Sequence, residues 1–215
     1  MADAVIFDID GVLIDSYQAH FDSWRALGAE HDIGISRQMF AQSFGRTSRD
    51  IIELWWGPLT DQKIAEIDNR KEALFREVID ADFPAMPGAL DLIDALHEAG
   101  FALVVGSSGP PENVDLVMRK LDREAYFGAR ITGMDVTRGK PDPQVFQMAG
   151  QRLGIEPKRC AVVEDAIAGI EAANAAGMTS IALTGTAKSD ALSAADLIVD
   201  SLDQLSAEII QGLLK

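Results

Sequence analysis

Val5-Ile6-Phe7-Asp8-Ile9-Asp10-Gly11-Val12-Leu13-Ile14-Asp15-Ser16 is the stretch on which the reading of this chain turns. An apolar run meets two carboxylates two positions apart, and a glycine follows. Alternate side chains of a strand share a face, so Asp8 and Asp10 leave the strand end together. Paired acids at the end of a buried strand add little stability. They suit a divalent cation and a carboxylate nucleophile. The plain alternative is a strand closed by an Asp-Gly turn, and the rest of the chain decides between them.

Working outward, residues 17–83 read as helices without a convincing strand. His20, Phe21, Trp24 and Leu27 recur at helical spacing. Ile51, Ile52, Leu54 and Trp55 mark another helix, and Ile64, Ile67, Leu74, Phe75, Val78 and Ile79 a third. Phe83-Pro84-Ala85-Met86-Pro87-Gly88 then reads as a hinge. From Ala89 onward, helices alternate with short apolar strands at Ala102-Leu103-Val104-Val105, Arg130-Ile131-Thr132-Gly133, Ala161-Val162-Val163, Ser180-Ile181-Ala182-Leu183 and Leu197-Ile198-Val199. Helices are expected over Ala89–Ala99 and Pro111–Leu121, from an Asp142-Pro143 start to near Gly154, before Gly177 and at the C-terminus. Continuous apolar strands alternating with helices imply a doubly wound parallel sheet covered on both faces. Ligands in such α/β folds bind beyond the carboxyl ends of the strands. The expected organisation is a Rossmann-like core of residues 1–15 and 86–215, with an all-helical cap of residues 16–85 inserted over that end.

The 215 residues leave room for one large domain carrying a smaller insertion. A net charge of −15 argues against nucleic acid and anionic membrane as partners. An acidic protein that handles a small phosphorylated metabolite needs a metal and a few placed cations to offset its own field. The single cysteine, Cys160, cannot form an internal disulfide, which fits a reducing compartment, and it reads as a small buried side chain. Asp8 and Asp10 interrupt the N-terminal apolar run, no basic segment precedes it, and no run approaches spanning length, so a cytoplasmic location is expected. A monomer is expected as well.

What stands at each strand end sharpens the reading. After the first come Asp8 and Asp10, and after Val104-Val105 come Gly106-Ser107-Ser108-Gly109-Pro110, whose hydroxyls and backbone N–H groups can hold a phosphate. Gly139-Lys140-Pro141-Asp142-Pro143 places a lysine after the third, and Glu164-Asp165 follows the fourth. Singly, these are a loop, a solvated lysine and an acid pair favoured at a helix start. Together they supply a nucleophile, a hydroxyl cradle, a cation and a second acid pair.

This arrangement resembles the haloacid dehalogenase superfamily, whose four motifs match in type, order and spacing over essentially the whole chain. The motifs are Asp8-x-Asp10-Gly11-Val12, Ser107, Gly139-Lys140-Pro141-x-Pro143, and Val162-Val163-Glu164-Asp165-Ala166-x-x-Gly169-Ile170-x-Ala172-Ala173. The cap start Ala19–Leu27 and the Gly45-Arg46-Thr47 turn resemble the branch of β-phosphoglucomutases and sugar-phosphate phosphatases. The dehalogenases themselves lack the second aspartate of the first motif, present here as Asp10.

The resemblance implies that Asp8 attacks phosphorus to form an aspartyl phosphate, with Asp10 as acid and base by turns. It implies Mg²⁺ at Asp8, the Asp10 carbonyl and Asp165, with Glu164 bound to the ion or just behind it. Ser107 and Lys140 then hold phosphoryl oxygens, with Ser108 beside them. His20, Trp24, Gly45, Arg46, Arg49 and Lys71 are the cap residues expected to face substrate, although a lone helical histidine is often only a packed one. Trp55 and Trp56 read as cap core, and His31 and His97 as surface. The implied activity is a Mg²⁺-dependent phosphatase of a small sugar or polyol phosphate, with a phosphohexomutase as the alternative. A receiver-like phospho-acceptor would carry its aspartate later and lack the insertion. A serine hydrolase does not fit, because Ser107 lacks Gly-x-Ser-x-Gly spacing and no histidine lies downstream of it.

Overall fold

The computed structural model describes residues 2–43 and 45–214. Met1, Phe44 and Lys215, which the expected domain ranges include, lie outside the described residues. The chain divides into two compact units, residues 1–15 with 84–215 and residues 16–83.

In the first unit, β1 (Ala4–Phe7), β2 (Ala102–Gly106), β3 (Phe127–Ile131), β4 (Cys160–Glu164), β5 (Thr179–Leu183) and β6 (Leu197–Val199) form one parallel sheet in the order β3-β2-β1-β4-β5-β6. Every residue of β1 is fully buried, as a central strand covered on both faces requires. Ala4 and Ile6 share a core with Val104, Val162, Val145, Phe146 and Ala172. Cys160 belongs to that core, and burial pushes its thiol up to about 11. Strand order reverses between β1 and β4, so the crevice favoured for ligands opens where Asp8 and Glu164 stand.

The elements differ from expectation mainly at their ends. The third strand lies over Phe127–Ile131, earlier than the expected 130–133, because it pairs with β2 from Leu103 to Gly106. Glu164 closes β4 instead of following it. The helix expected to begin at Asp142-Pro143 begins at Gln144, since Asp142 stays outside and accepts the Gln144 N–H at 3.0 Å. Pro84 and Ala85, expected with the insertion, group with the sheet unit: Asp15 N–H donates to the Pro84 carbonyl, and Ile14 bridges Ala85.

The second unit contains α1 (Tyr17–Glu30), α2 (Arg37–Ser43), α3 (Ser48–Trp56) and α4 (Asp61–Ala81). Thr47 and Thr60 cap α3 and α4 by accepting from Asp50 and Lys63 N–H groups. The short α2 carries one buried aromatic, Phe40, too little periodicity to announce a helix. Phe21, Trp24, Leu27, Phe40, Ile52, Ile67 and Leu74 form this unit's own core, and Trp55 and Trp56 pack against it. His31 and His97 are exposed. The sheet unit's helices are α5 (Ala89–Glu98), α6 (Pro111–Leu121), α7 (Gln144–Leu153), α8 (Ile167–Ala175) and α9 (Ala207–Leu213). Among the described residues, no helix is long and apolar enough to cross a membrane.

Candidate active site

The loop after β1 is wound tightly: the N–H groups of Val12, Leu13 and Ile14 converge on the Ile9 carbonyl, and Gly11 N–H donates to the Ile14 carbonyl. Gly11 has φ 73°, and a Cβ there would lie 1.9 Å from Asp165 Oδ2. Only glycine lets the acid loop and the end of β4 come this close. Gly169 does the same for Glu164: a Cβ on α8 would sit 1.9 Å from Glu164 Oε1. These approaches explain why glycine stands at both places in the motifs.

Asp8, Glu164 and Asp165 are buried and offer carboxylate oxygens that all lie within 4.8 Å of one another. Lys140 Nζ donates to Asp8 Oδ1 at 2.9 Å and to Glu164 Oε1 at 2.8 Å. Its ammonium lies over the Phe146 ring, 4.9 Å from the centroid. Glu164 Oε2 accepts the N–H groups of Asp165 at 2.5 Å and Ala166 at 2.7 Å. Ser107 is buried at the end of β2, where its hydroxyl accepts the Gly109 N–H at 3.0 Å, and Ser108 beside it is exposed. Asp10 is half-buried on the tight loop, and its side chain stands outside the three-carboxylate group.

Burial dominates the titration of these groups. It pushes Asp8 up, Lys140 pulls it down, and the charges of Glu164 and Asp10 push it up again, to about 7. Asp165 is pushed up to about 9 by burial and by the charges of Glu164 and Asp8. Burial would also raise Glu164, but the Lys140 ammonium and the Ala166 N–H hold it below the usual carboxylate range. Lys140 is desolvated too, yet Asp8 and Glu164 together raise its pKa. Three carboxylates and one ammonium leave the group at a net −2 when fully ionised.

The matching sequence profile is that of the haloacid dehalogenase-like hydrolases, over residues 2–177. The chain belongs to this family. Haloacid dehalogenase-like relatives include validoxylamine A 7'-phosphate phosphatase of Streptomyces hygroscopicus subsp. limoneus, 31% identical over 95% of this chain and 96% of that protein. β-Phosphoglucomutase of Bacillus subtilis is 30% identical over 96% of this chain and 93% of its own. The crystal structure of β-phosphoglucomutase from Clostridium difficile superposes with TM-score 0.85 at 26% identity, covering 100% of this chain and 97% of that one. Within the haloacid dehalogenase-like hydrolases, this enzyme therefore stands with the sugar-phosphate phosphatases and β-phosphoglucomutases.

The helical unit has its own cleft of about 160 Å³, lined by His20, Trp24, Phe40, Gly45, Arg46, Ser48, Ile51, Lys71 and Glu72. Lys71 is buried there, 2.7 Å from Glu72 Oε1 and 2.9 Å from His20 Nδ1. The His20 ring stacks on Phe75 at 4.3 Å between centroids, and Lys71 Nζ lies 5.6 Å and 5.2 Å from the Trp24 and Phe75 centroids. Of the residues expected to face substrate in this unit, His20, Trp24, Gly45, Arg46 and Lys71 share the cleft. Arg49 does not line it. Its exposed guanidinium pairs with Asp61 at 2.8 Å and Glu53 at 3.5 Å, because its side chain leaves α3 on the side facing those acids.

Two contributors escape the sequence reading. Thr186, on the loop after β5, makes a side-chain hydrogen bond with Asp165; examining a fifth strand end would have found it. Glu72, the partner of Lys71, carries no signal beyond its position next to that lysine.

Proposed function

We propose that this enzyme is a Mg²⁺-dependent phosphatase of a small sugar or polyol phosphate, acting through an aspartyl phosphate on Asp8. The observation that carries the reading is the Lys140 ammonium held between Asp8 and Glu164, with Asp165 completing a buried acid cluster. A net −2 of hard oxygen donors fits a divalent cation held by Asp8 and Asp165, with the Asp10 carbonyl as a further donor. Glu164, both of whose oxygens already accept protein donors, fits an orienting role beside it. When bound, the ion supplies positive charge that offsets the carboxylates and the transferring phosphoryl group.

Asp8 attacks phosphorus as the bond from phosphorus to the ester oxygen breaks, giving an aspartyl phosphate and an alcohol. Asp10 gives its proton to the leaving alkoxide, then takes one from a water that attacks the aspartyl phosphate. Inorganic phosphate leaves, and Asp8 is regenerated. Lys140 favours the ionised form of Asp8 against its burial and holds a phosphoryl oxygen, and the Ser107 hydroxyl directs its proton at another, with Ser108 beside it. The cleft residues His20, Trp24, Gly45, Arg46 and Lys71 recognise the rest of the substrate, so the helical unit acts as a cap. Lys71 with its His20 partner favours a second reading, in which the aspartyl phosphate passes to another sugar hydroxyl, as a phosphohexomutase requires.

Phosphorus NMR of the enzyme with Mg²⁺ and a hexose 1-phosphate, with and without hexose bisphosphate, separates the two. Released inorganic phosphate supports the phosphatase, and a 6-phosphate product supports the mutase. If neither forms over a broad panel of esters, both readings fail.

A further inference from the structure

Thr137, Arg138 and Gly139 are exposed, as is Pro141, yet the Lys140 side chain between them is buried among carboxylates. Ordering a long side chain from a solvated loop costs conformational entropy, so the loop itself must be held. Gln144, the first residue of α7, does this from outside the motif. Its side-chain oxygen accepts the Thr137 N–H at 3.0 Å, the Arg138 N–H at 3.0 Å and the Thr137 hydroxyl at 3.2 Å. Past the lysine, Asp142 accepts the Gln144 N–H at 3.0 Å, and Asp142 N–H donates to the Gly139 carbonyl at 3.0 Å. The loop is thus tied to the start of α7 on both sides of Lys140. That helix is itself anchored by the buried Val145 and Phe146, and Phe146 is the ring beneath the lysine ammonium.

We propose that Gln144 is a positioning residue: by gathering two successive backbone N–H groups, its oxygen fixes where Lys140 leaves the loop and keeps the ammonium between Asp8 and Glu164. A glutamine serving only the helix start has no need to reach back to residues 137 and 138. The inference rests on the role assigned to Lys140 under the proposed function.

The test compares the full-length enzyme with Gln144→Met, which keeps side-chain length without the acceptor, and Gln144→Glu, which keeps an acceptor oxygen. With Mg²⁺ and p-nitrophenyl phosphate, Gln144→Met is expected to lower kcat about 10²-fold, the cost of misplacing a catalytic group by an ångström or so. KM changes much less than kcat, because Lys140 counts more toward the charge developing on the transferring group than toward the bound ester. Gln144→Glu restores kcat, and in a Lys140→Ala background Gln144→Met adds less than about twofold, since both changes act through one residue. An unchanged kcat in Gln144→Met, or a full additional loss in the Lys140→Ala background, overturns the inference. Should the unaltered enzyme turn over no phosphate ester, the functional reading fails, and a crystal structure of Gln144→Met still decides this point. Lys140 displaced from Asp8 supports it; Lys140 in place overturns it.

Discussion

Lys140, whose side chain is 9% exposed, and the buried Lys71 are paired lysines, one in each unit, and their surroundings differ in charge. Lys140 is outnumbered: it pairs with Asp8 and Glu164, Asp165 completes the acid cluster, and burial with the neighbouring carboxylates pushes Asp8 and Asp165 toward neutrality. Lys71 pairs with the Glu72 carboxylate and a histidine nitrogen, lies near the faces of Trp24 and Phe75, and has Asp68 within electrostatic reach. The first group is short of positive charge, which a divalent cation supplies under the proposed function. The second pairs its lysine directly with one glutamate and, among the described residues, offers no cluster of converging carboxylates. A buried charge cluster left unbalanced is expensive to fold and useful for chemistry, whereas a balanced pair suits recognition.

The comparison can be broken most directly at Asp8. Asp8→Asn is expected to lower turnover on the order of 10⁴-fold or more, as loss of a nucleophile does; steady-state kinetics on the preferred ester checks it. Lys140→Ala comes next, lowering kcat by about 10²–10³-fold, as loss of a charge that stabilises the transition state does. It also leaves buried carboxylates unpaired, which costs about 3–5 kcal/mol in metal-free protein and appears as a lower urea midpoint. Lys71→Met sharpens the contrast: KM rises about tenfold with kcat far less affected, because a cleft contact is lost and the reacting groups are not. Arg49→Ala should leave both constants and the thermal midpoint unchanged, since exposed pairs of its kind add little.

A pH titration probes the acid cluster without mutation. Asp8 and Asp165 ordinarily titrate near 3.8 but are pushed up to about 7 and about 9 in the folded chain. Over that window the folded state binds more protons than the unfolded one, so metal-free stability falls as pH rises from about 4 to about 9. Mg²⁺ competes with those protons and flattens the fall. Asp3, Asp94 and Asp135 are shifted the other way, chiefly by hydrogen bonds with Gln211, Arg123 and Thr132. Their stabilisation is lost only as pH drops below the ordinary carboxylate range, outside the window. Calorimetric melts across pH, with and without Mg²⁺, check the prediction.

Much of the sheet unit was legible because each strand end carries its own punctuation: Asp8, Ser107 and Glu164 follow apolar runs too short to be anything but buried strands. Gly11 and Gly169 were visible as letters, but their purpose, clearing space for Asp165 and Glu164, needs the approach of β1 and β4 in space. Lys71 could be suspected as a charge inside an otherwise apolar helical row from Ile64 to Ile79. Its partners could not, since His20 lies 51 residues away. Gln144 acts through hydrogen bonds from an ordinary-looking position, and hydrogen-bond geometry leaves no periodicity to read; Thr186 stood at a strand end that the reading left unexamined.

The central claim is that Asp8 takes the phosphoryl group. Rapid acid quench of the enzyme with Mg²⁺ and substrate, followed by peptide mass spectrometry, tests it directly. The account predicts a single phosphoryl group on the peptide carrying Asp8, absent in Asp8→Asn. A phosphoryl group on another residue, or native turnover in Asp8→Asn, would contradict it.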